Sequence, residues 1–141
     1  MAKRILIVDD STLMRGMIRS ALRAGSFEVI EAANGPDALT ILDRQEIEQQ
    51  KVDLIITDMN MPVMDGISLV RAIRQRPATK LTPVLVLTTE SGAELKQAGR
   101  AAGATGWIVK PFNPQQLIQV VDKVLPPGAG EQKIKGATEN G

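Results

Sequence analysis

Short, almost purely aliphatic runs alternate along the chain with longer amphipathic segments. Each of four such runs leads into polar residues: 5–8 before Asp9 and Asp10, 52–56 before Asp58, 84–87 before Thr88, and 107–109 before Lys110. Runs of this length, rich in Val and Ile and separated by helical stretches, are typical of parallel strands buried on both faces. A more polar run at 27–30 predicts a fifth, more exposed strand.

The segments between the runs have helical periodicity. Five helices are predicted, over 12–24, from Asn34 onward, from Ile67 to before Pro77, over 91–102, and from Asn113 onward. The first should have Ser11 as its N-cap and bury one apolar stripe, formed by Leu13, Met14, Met17, Ile18, Ala21 and Leu22. The fourth has Leu95 as its only large aliphatic residue and should end at Gly103.

Five strand–helix units with right-handed crossovers predict an α/β fold, a three-layer sandwich with helices on both faces of a parallel sheet. The second strand is the most polar, so we expect it at an edge. The doubly wound, flavodoxin-like order 2-1-3-4-5 has this property, and we take that order from this class of folds. Such folds bind ligands where the carboxyl ends of the strands meet, so the polar residues after the runs should share one pocket.

Composition narrows the classes of partner. The 141 residues suit one domain, which we place at 1–125, followed by a Gly-, Pro- and charge-rich tail at 126–141 that should be disordered. A net charge of +1 favours neither nucleic acid nor a membrane surface. The apolar runs are too short for a signal peptide or a membrane span, and cysteine is absent. We therefore expect a cytoplasmic monomer.

The polar residues form a chemically coherent set. Asp9, Asp10 and Asp58 would repel one another unless a cation or shared protons compensate. Because the chain has neither His nor Cys, the ligands are oxygen atoms and Mg²⁺ is the expected ion. Thr88 and Lys110 add a hydroxyl and an ammonium that suit a phosphoryl dianion. Asp58, ending the central strand, is best placed for in-line attack that forms an acyl phosphate.

Each of these residues also has a purely structural interpretation. Asp9 and Asp10 could cap a helix, Asp58 could belong to a turn, and Lys110 could be solvated. The joint occurrence of these residues and Thr88 at the ends of four strands of one sheet favours a functional site.

Together these motifs resemble the receiver domain of two-component response regulators. The similar segments are 5–10, 58–66, Thr88 and 110–112, and the resemblance covers residues 3–125. It implies a phosphoacceptor at Asp58. It also implies Mg²⁺ bound by the carboxylates of Asp9, Asp10 and Asp58 and by the main-chain carbonyl of Asn60.

The same resemblance assigns the remaining site residues. Thr88 would bind the phosphoryl group, Lys110 would pair with it and assist the chemistry of Asp58, and Trp107 stands where the family has a rotating aromatic switch. A buried structural role is the alternative for Trp107. The Lys110–Pro111 bond is expected to be cis, as is common in the family.

The chain most resembles stand-alone chemotaxis response regulators. These take a phosphoryl group from a chemotaxis histidine kinase and bind the flagellar motor switch, here through the face formed by residues 88–110. Such a protein is a two-component signalling phosphoprotein rather than an enzyme. Its own chemistry is limited to self-phosphorylation from small donors and slow autodephosphorylation.

Several alternatives remain open. A receiver that acts as a phosphate sink or regulates a non-motility partner would have the same sequence features. A phosphohydrolase of the haloacid dehalogenase type needs Asp-x-Asp after its first strand, where this chain has adjacent aspartates. A flavin carrier should have a Ser/Thr- and Gly-rich first loop. The stripe of Arg15, Arg19 and Arg23 is interpreted as a solvated face, with kinase docking as the alternative.

Overall fold

The computed structural model describes residues 2–23, 25–89 and 92–125, and within them strands and helices alternate strictly. The elements are β1 (Lys3–Val8), α1 (Thr12–Leu22), β2 (Phe27–Ala32), α2 (Gly35–Ile47), β3 (Leu54–Asp58), α3 (Gly66–Arg74), β4 (Val84–Thr88), α4 (Ala93–Ala102), β5 (Gly106–Val109) and α5 (Pro114–Val124). All strand pairs are parallel, and the order is β2-β1-β3-β4-β5. The predicted fold class and strand order are confirmed.

The burial of the strands follows their sequence. Every residue of β3 and β4 is buried, as is the aliphatic part of β1, because helices cover both faces of these strands. In β2 only Ala32 is buried, which agrees with its polar sequence and its edge position. Side chains alternate between the two faces, so Ile5 and Ile7 join one core while Leu6 and Val8 join the other.

The two cores define the layers. On one face, α1 and α5 pack against the sheet through four fully buried side chains, those of Ile18, Leu22, Leu117 and Val121. On the other face, α2, α3 and α4 contribute Ala38, Leu42, Ile67, Leu69, Val70, Ile73 and Ala102. The sheet is thus held from both sides, and its carboxyl edge carries the loops that precede the helices.

Polar caps begin four of the helices. The side chains of Ser11, Asn34, Asp65 and Asn113 each accept a hydrogen bond from a backbone N–H in the first turn of the following helix. Such caps stabilise a helix by about 1 kcal/mol each. Gly103 ends α4 in the left-handed conformation, with φ of 110°, as predicted.

The predicted apolar stripe of α1 is wrong in part. Leu13 and Met17 are 76% and 50% exposed, whereas Ile18 and Leu22 are buried. An α-helix turns by 3.6 residues, so one face can hold Met14, Ile18 and Leu22 but leaves Leu13 and Met17 to the side. The helix also ends at Leu22, two residues earlier than predicted.

Two further sequence predictions concern the C-terminal tail and membrane-spanning segments. The tail at 126–141 lies outside the described residues. Among the helices that the structure describes, none combines the length and the apolar character required to cross a membrane.

Two glycines differ sharply in the space around them. A Cβ at Gly66 would lie 2.5 Å from the main-chain oxygen of Asp58 and 3.0 Å from the Cα of Met59. A Cβ at Gly16, in the exposed middle of α1, would have no neighbour within 4 Å. The absence of a side chain at Gly66 therefore allows the start of α3 to lie against the end of β3.

We therefore expect opposite effects from the same substitution. Gly66→Ala should lower the free energy of unfolding by about 1–3 kcal/mol, because backbone atoms cannot yield to the methyl group. Gly16→Ala should raise it by about 0.5–1 kcal/mol, because alanine is the better helix former. Urea denaturation followed by circular dichroism measures both, and equal stability of the two variants would contradict the prediction.

Candidate functional site

Three carboxylates meet at the carboxyl edge of the sheet. Asp9 and Asp10 follow β1, and Asp58 is the last residue of the neighbouring strand β3. Each offers an oxygen, and these oxygens all lie within 4.8 Å of one another. Asp9 and Asp58 are buried, whereas Asp10 is exposed. The parallel sheet therefore brings Asp58 next to two adjacent acids from which the sequence separates it by almost 50 residues.

Asp9 is the most constrained of these acids. Its Oδ1 accepts a hydrogen bond of 2.8 Å from the Ser11 N–H. Its Oδ2 is buried and has no hydrogen-bond partner among the described residues. Burial raises the pKa of the Asp9 carboxyl above its ordinary value, and the nearby Asp58 and Asp10 add to this, although the Ser11 N–H and Lys110 oppose it. Asp9 is thus a buried carboxylate for which the described residues supply no direct ion-pair partner.

Lys110 pairs with Asp58 from the other side of the pocket. Its Nζ donates to Asp58 Oδ1 at 2.7 Å, and the two side chains are only 16% and 8% exposed. The residue follows β5, and the Lys110–Pro111 peptide bond is cis, as the family resemblance implied. One ammonium among three carboxylates leaves two formal negative charges in this group.

The arrangement fits a hard divalent cation. Such an ion would give the buried Asp9 Oδ2 a partner, and its two positive charges would offset the two formal negative charges of the group. Mg²⁺ is held by a few carboxylates together with waters, and the partly exposed cluster allows this. Asn60, whose carbonyl the resemblance adds to the ligand set, is exposed two residues beyond Asp58. Its role as a ligand remains a prediction.

Thr88 belongs to the strand that lies between those leading to Asp58 and to Lys110. It is the last residue of β4, which pairs with β3 on one side and with β5 on the other, and it is fully buried. Its main-chain oxygen accepts a hydrogen bond of 2.7 Å from the Lys110 N–H. The backbones of these two candidate phosphate-binding residues are therefore directly joined.

Trp107 lies in the apolar layer beneath α4. It is partly buried and packs against the core on the α2–α3–α4 face of the sheet. Gly99 of α4 provides the room, because a Cβ there would be 2.3 Å from the six-membered ring of the indole. The indole Nε1 is buried and finds no acceptor among residues 2–23, 25–89 and 92–125. Within the described part of the chain the ring is thus held by packing, in a notch that a larger residue at position 99 would fill.

The predicted solvated face of the arginine stripe on α1 is correct for Arg19 and Arg23, which are exposed, and wrong for Arg15. Arg15 has a side chain only 15% exposed, and its guanidinium contacts both the Asp9 main-chain oxygen and Glu31 of β2. Arg19 pairs with the same Glu31. The i, i+4 spacing placed the two arginines on one face, but no pattern in the sequence identified the partner on β2.

Comparison with known proteins places the chain among signalling domains. Residues 5–122 match the family model of the response regulator receiver domain. A chemotaxis protein CheY homolog of Campylobacter jejuni is 39% identical over 129 residues, which cover 91% of this chain and 96% of that protein. The structure of the chemotaxis protein CheY4 of Vibrio cholerae is similar, with a TM-score of 0.81 and 44% identity over 89% of this chain and all of that one.

A further structural relative bears on the metal. The receiver domain of a sensor histidine kinase from Pseudomonas aeruginosa has a TM-score of 0.74 and 27% identity over 87% of this chain and 97% of that one. Its structure holds a magnesium ion coordinated in the active site cleft.

The cost of burying Asp9 predicts a stabilising substitution. When folding raises the pKa of a carboxyl, the stability that this group contributes is lost as the pH rises through the raised pKa. The charged form of Asp9 therefore lowers the free energy of unfolding at neutral pH. In EDTA at pH 7, Asp9→Asn should raise the free energy of unfolding by about 1–2 kcal/mol, since asparagine can still accept from Ser11. It should also reduce the stabilisation that Mg²⁺ provides.

The control is an exposed acid. Glu46→Gln removes the same formal charge from the surface of α2 and should change stability by less than about 0.5 kcal/mol. Urea titrations with and without Mg²⁺ measure all three proteins. A destabilised Asp9→Asn variant in EDTA would show that the buried carboxylate is not a cost to the fold.

Proposed function

The chain belongs to the response regulator receiver family and is of the CheY type, and from this premise we propose that it is switched by phosphorylation of Asp58. The phosphoryl group would come from a chemotaxis histidine kinase, and the phosphorylated form would bind a flagellar motor switch protein. The observation that carries the proposal is the buried Asp58–Lys110 ion pair within a cluster of three carboxylates. We place the protein in the cytoplasm as a monomer.

Family membership and the charge of the site argue against two of the alternatives. Receivers of the CheY type are signalling proteins and not enzymes, which sets aside the phosphohydrolase. A flavin phosphate would meet two uncompensated negative charges at this edge, which disfavours the flavin carrier. The chemistry that we assign to the chain itself is self-phosphorylation from small donors and slow autodephosphorylation.

In the proposed step, a carboxylate oxygen of Asp58 attacks phosphorus. The P–N bond of the phosphohistidine breaks, and its electron pair returns to the imidazole ring of the kinase. Asp9, Asp10, Asp58 and the Asn60 carbonyl would hold Mg²⁺, which offsets the negative charge that accumulates on the phosphoryl oxygens. Lys110 is positioned by its contact with Asp58, so a small movement of its ammonium would bring it to the new dianion.

Thr88 and Lys110 would carry the change to the output face, defined as residues 88–110 without 90 and 91, which are not described. Their backbones are hydrogen-bonded, so a shift of either residue on binding phosphate affects both strands. The helix beyond them buries only Gly99 and Ala102, with Leu95 and Ala98 partly covered. Little apolar area anchors α4, and such elements move at low cost. Trp107, beneath this helix, would report or transmit its position.

Phosphorylation of Asp58 can be tested directly. With acetyl phosphate and Mg²⁺, intact-mass spectrometry should show one phosphoryl group that is lost on mild alkaline treatment, as expected of an acyl phosphate. Asp58→Asn should remain unmodified. Asp53→Asn changes a carboxylate at the opposite end of the same strand region, where it binds the Arg4 N–H, and should be modified like the wild type. Modification of Asp58→Asn would place the acceptor elsewhere.

The proposed output is tested by partner binding. Immobilised flagellar motor switch protein from the same organism should retain the acetyl-phosphate-treated chain at least about tenfold better than the untreated chain. Asp58→Asn treated in parallel should show no gain. Equal retention with and without acetyl phosphate would reject the motor assignment and favour a phosphate sink or a non-motility partner, without affecting the assignment of Asp58.

A further inference from the structure

Arg15 and Glu31 form an ion pair next to the carboxylate cluster, and Arg15 also contacts the backbone of Asp9. Arg15 Nη1 donates to the main-chain oxygen of Asp9 at 2.5 Å, while its Nε donates to Glu31 Oε1 at 2.9 Å. Hydrogen bonds from Arg19 and Arg15 lower the pKa of Glu31, so this carboxylate is charged at neutral pH. Glu31 therefore positions the guanidinium of Arg15, which in turn binds the main-chain oxygen of Asp9.

Asp9 is consequently fixed at three points. Its N–H donates to the Ala32 oxygen of β2 at 3.1 Å, its carbonyl accepts from Arg15, and its Oδ1 accepts from the Ser11 N–H at 2.8 Å. Glu31 and Ala32 are consecutive in β2, so both the backbone contact and the arginine contact tie Asp9 to the same edge strand. These contacts leave Asp9 Oδ2 as the buried carboxylate oxygen without a described partner.

We propose that Arg15 is a positioning residue for the metal site: by holding the Asp9 carbonyl it orients the β1–α1 turn, so that Asp9 and Asp10 present their oxygens toward Asp58. This inference rests on the proposed function, in which those oxygens bind Mg²⁺. Groups that orient metal ligands without touching the metal commonly change affinity by 10–100-fold when removed.

The fork shape of the guanidinium is essential to this role. Arginine presents several N–H groups in a rigid plane and can bond a carbonyl and a carboxylate together. Lysine has a single ammonium on a flexible stem and would be expected to satisfy one partner or the other. A role that depended only on positive charge would be preserved in Arg15→Lys.

Arg19 provides a matched control. It also pairs with Glu31, it lies one helical turn further along α1, and its side chain is 44% exposed. The contacts described for it reach Glu31 and not Asp9. Arg19→Ala therefore removes a similar charge from the same network without removing the contact to the backbone of Asp9.

The experiment measures Mg²⁺ affinity in the full chain. Wild type, Arg15→Ala, Arg15→Lys and Arg19→Ala are titrated with Mg²⁺, with the fluorescence of the single tryptophan and the Mg²⁺-dependent shift of the melting temperature as two readouts. We expect the Mg²⁺ dissociation constant to rise at least about tenfold in Arg15→Ala and in Arg15→Lys. It should change by less than about threefold in Arg19→Ala. Glu31→Gln, which loosens the hold on Arg15, should give an intermediate rise, and it serves as the test should Arg15→Ala not fold.

Stability in EDTA separates positioning from a merely structural role. Should Arg15→Ala lose stability but bind Mg²⁺ like the wild type, the positioning role is rejected. An equal loss of affinity in Arg19→Ala rejects it as well, because the contact to Asp9 would then be irrelevant. A wild-type chain without any Mg²⁺ response in either readout would reject the proposed metal site itself, and the inference with it.

Discussion

The crowding of three carboxylates at one edge of the sheet is the constraint on which the rest of the site depends. Parallel strands deliver their last residues to the same edge, so Asp9, Asp10 and Asp58 cannot avoid one another. Lys110 compensates one of them through a buried contact, and a formal charge of −2 remains. Any ligand of this pocket must therefore begin by supplying positive charge, which is why a divalent cation precedes a phosphoryl group in the proposed function.

The hydrophobic core offsets the free-energy cost of the crowded carboxylates. The strands β1, β3 and β4 are buried between two helical layers, and their aliphatic side chains are almost completely excluded from solvent. Burial of that extent stabilises the domain by far more than one unpartnered carboxylate oxygen costs. A stable sheet can thus tolerate an unfavourable group at its edge, where binding of an ion would turn the same group into a ligand.

The sequence was sufficient wherever one kind of interaction dominated locally. Aliphatic runs predicted the strands because buried parallel strands tolerate little else, and the polar second run correctly indicated the edge strand. Cap residues such as Ser11 and Asn113 predicted helix starts because they bond the backbone of the next turn. The four candidate residues Asp9, Asp10, Asp58 and Lys110 converge because strand topology alone brings them together.

Prediction was less successful where the outcome depends on distant side chains. Leu13 and Met17 were placed in the core because they are apolar, but the rotation of α1 against the sheet leaves them exposed. Arg15 looked like one of three surface arginines until β2 brought Glu31 beside it. The notch at Gly99 depends on how far α4 stands from Trp107. These features follow from packing between elements, and the spacing of residues along the chain does not contain that information.

Two cationic side chains, Arg15 and Lys110, lie next to the carboxylate cluster, and they contact different parts of it. Arg15 contacts the main-chain oxygen of Asp9 and pairs with Glu31 of the edge strand β2, so that side of the site is fixed by contacts to two strands. Lys110 contacts the carboxylate of Asp58 itself, which is the group that the proposed phosphorylation would change. In the proposed mechanism, movement is therefore confined to the side of β4 and β5, where Thr88, Trp107 and the weakly anchored α4 lie. In that mechanism, the contacts on the Arg15 side would keep the metal ligands in place, while movement on the β4–β5 side would convert a local change of charge into a signal on one face.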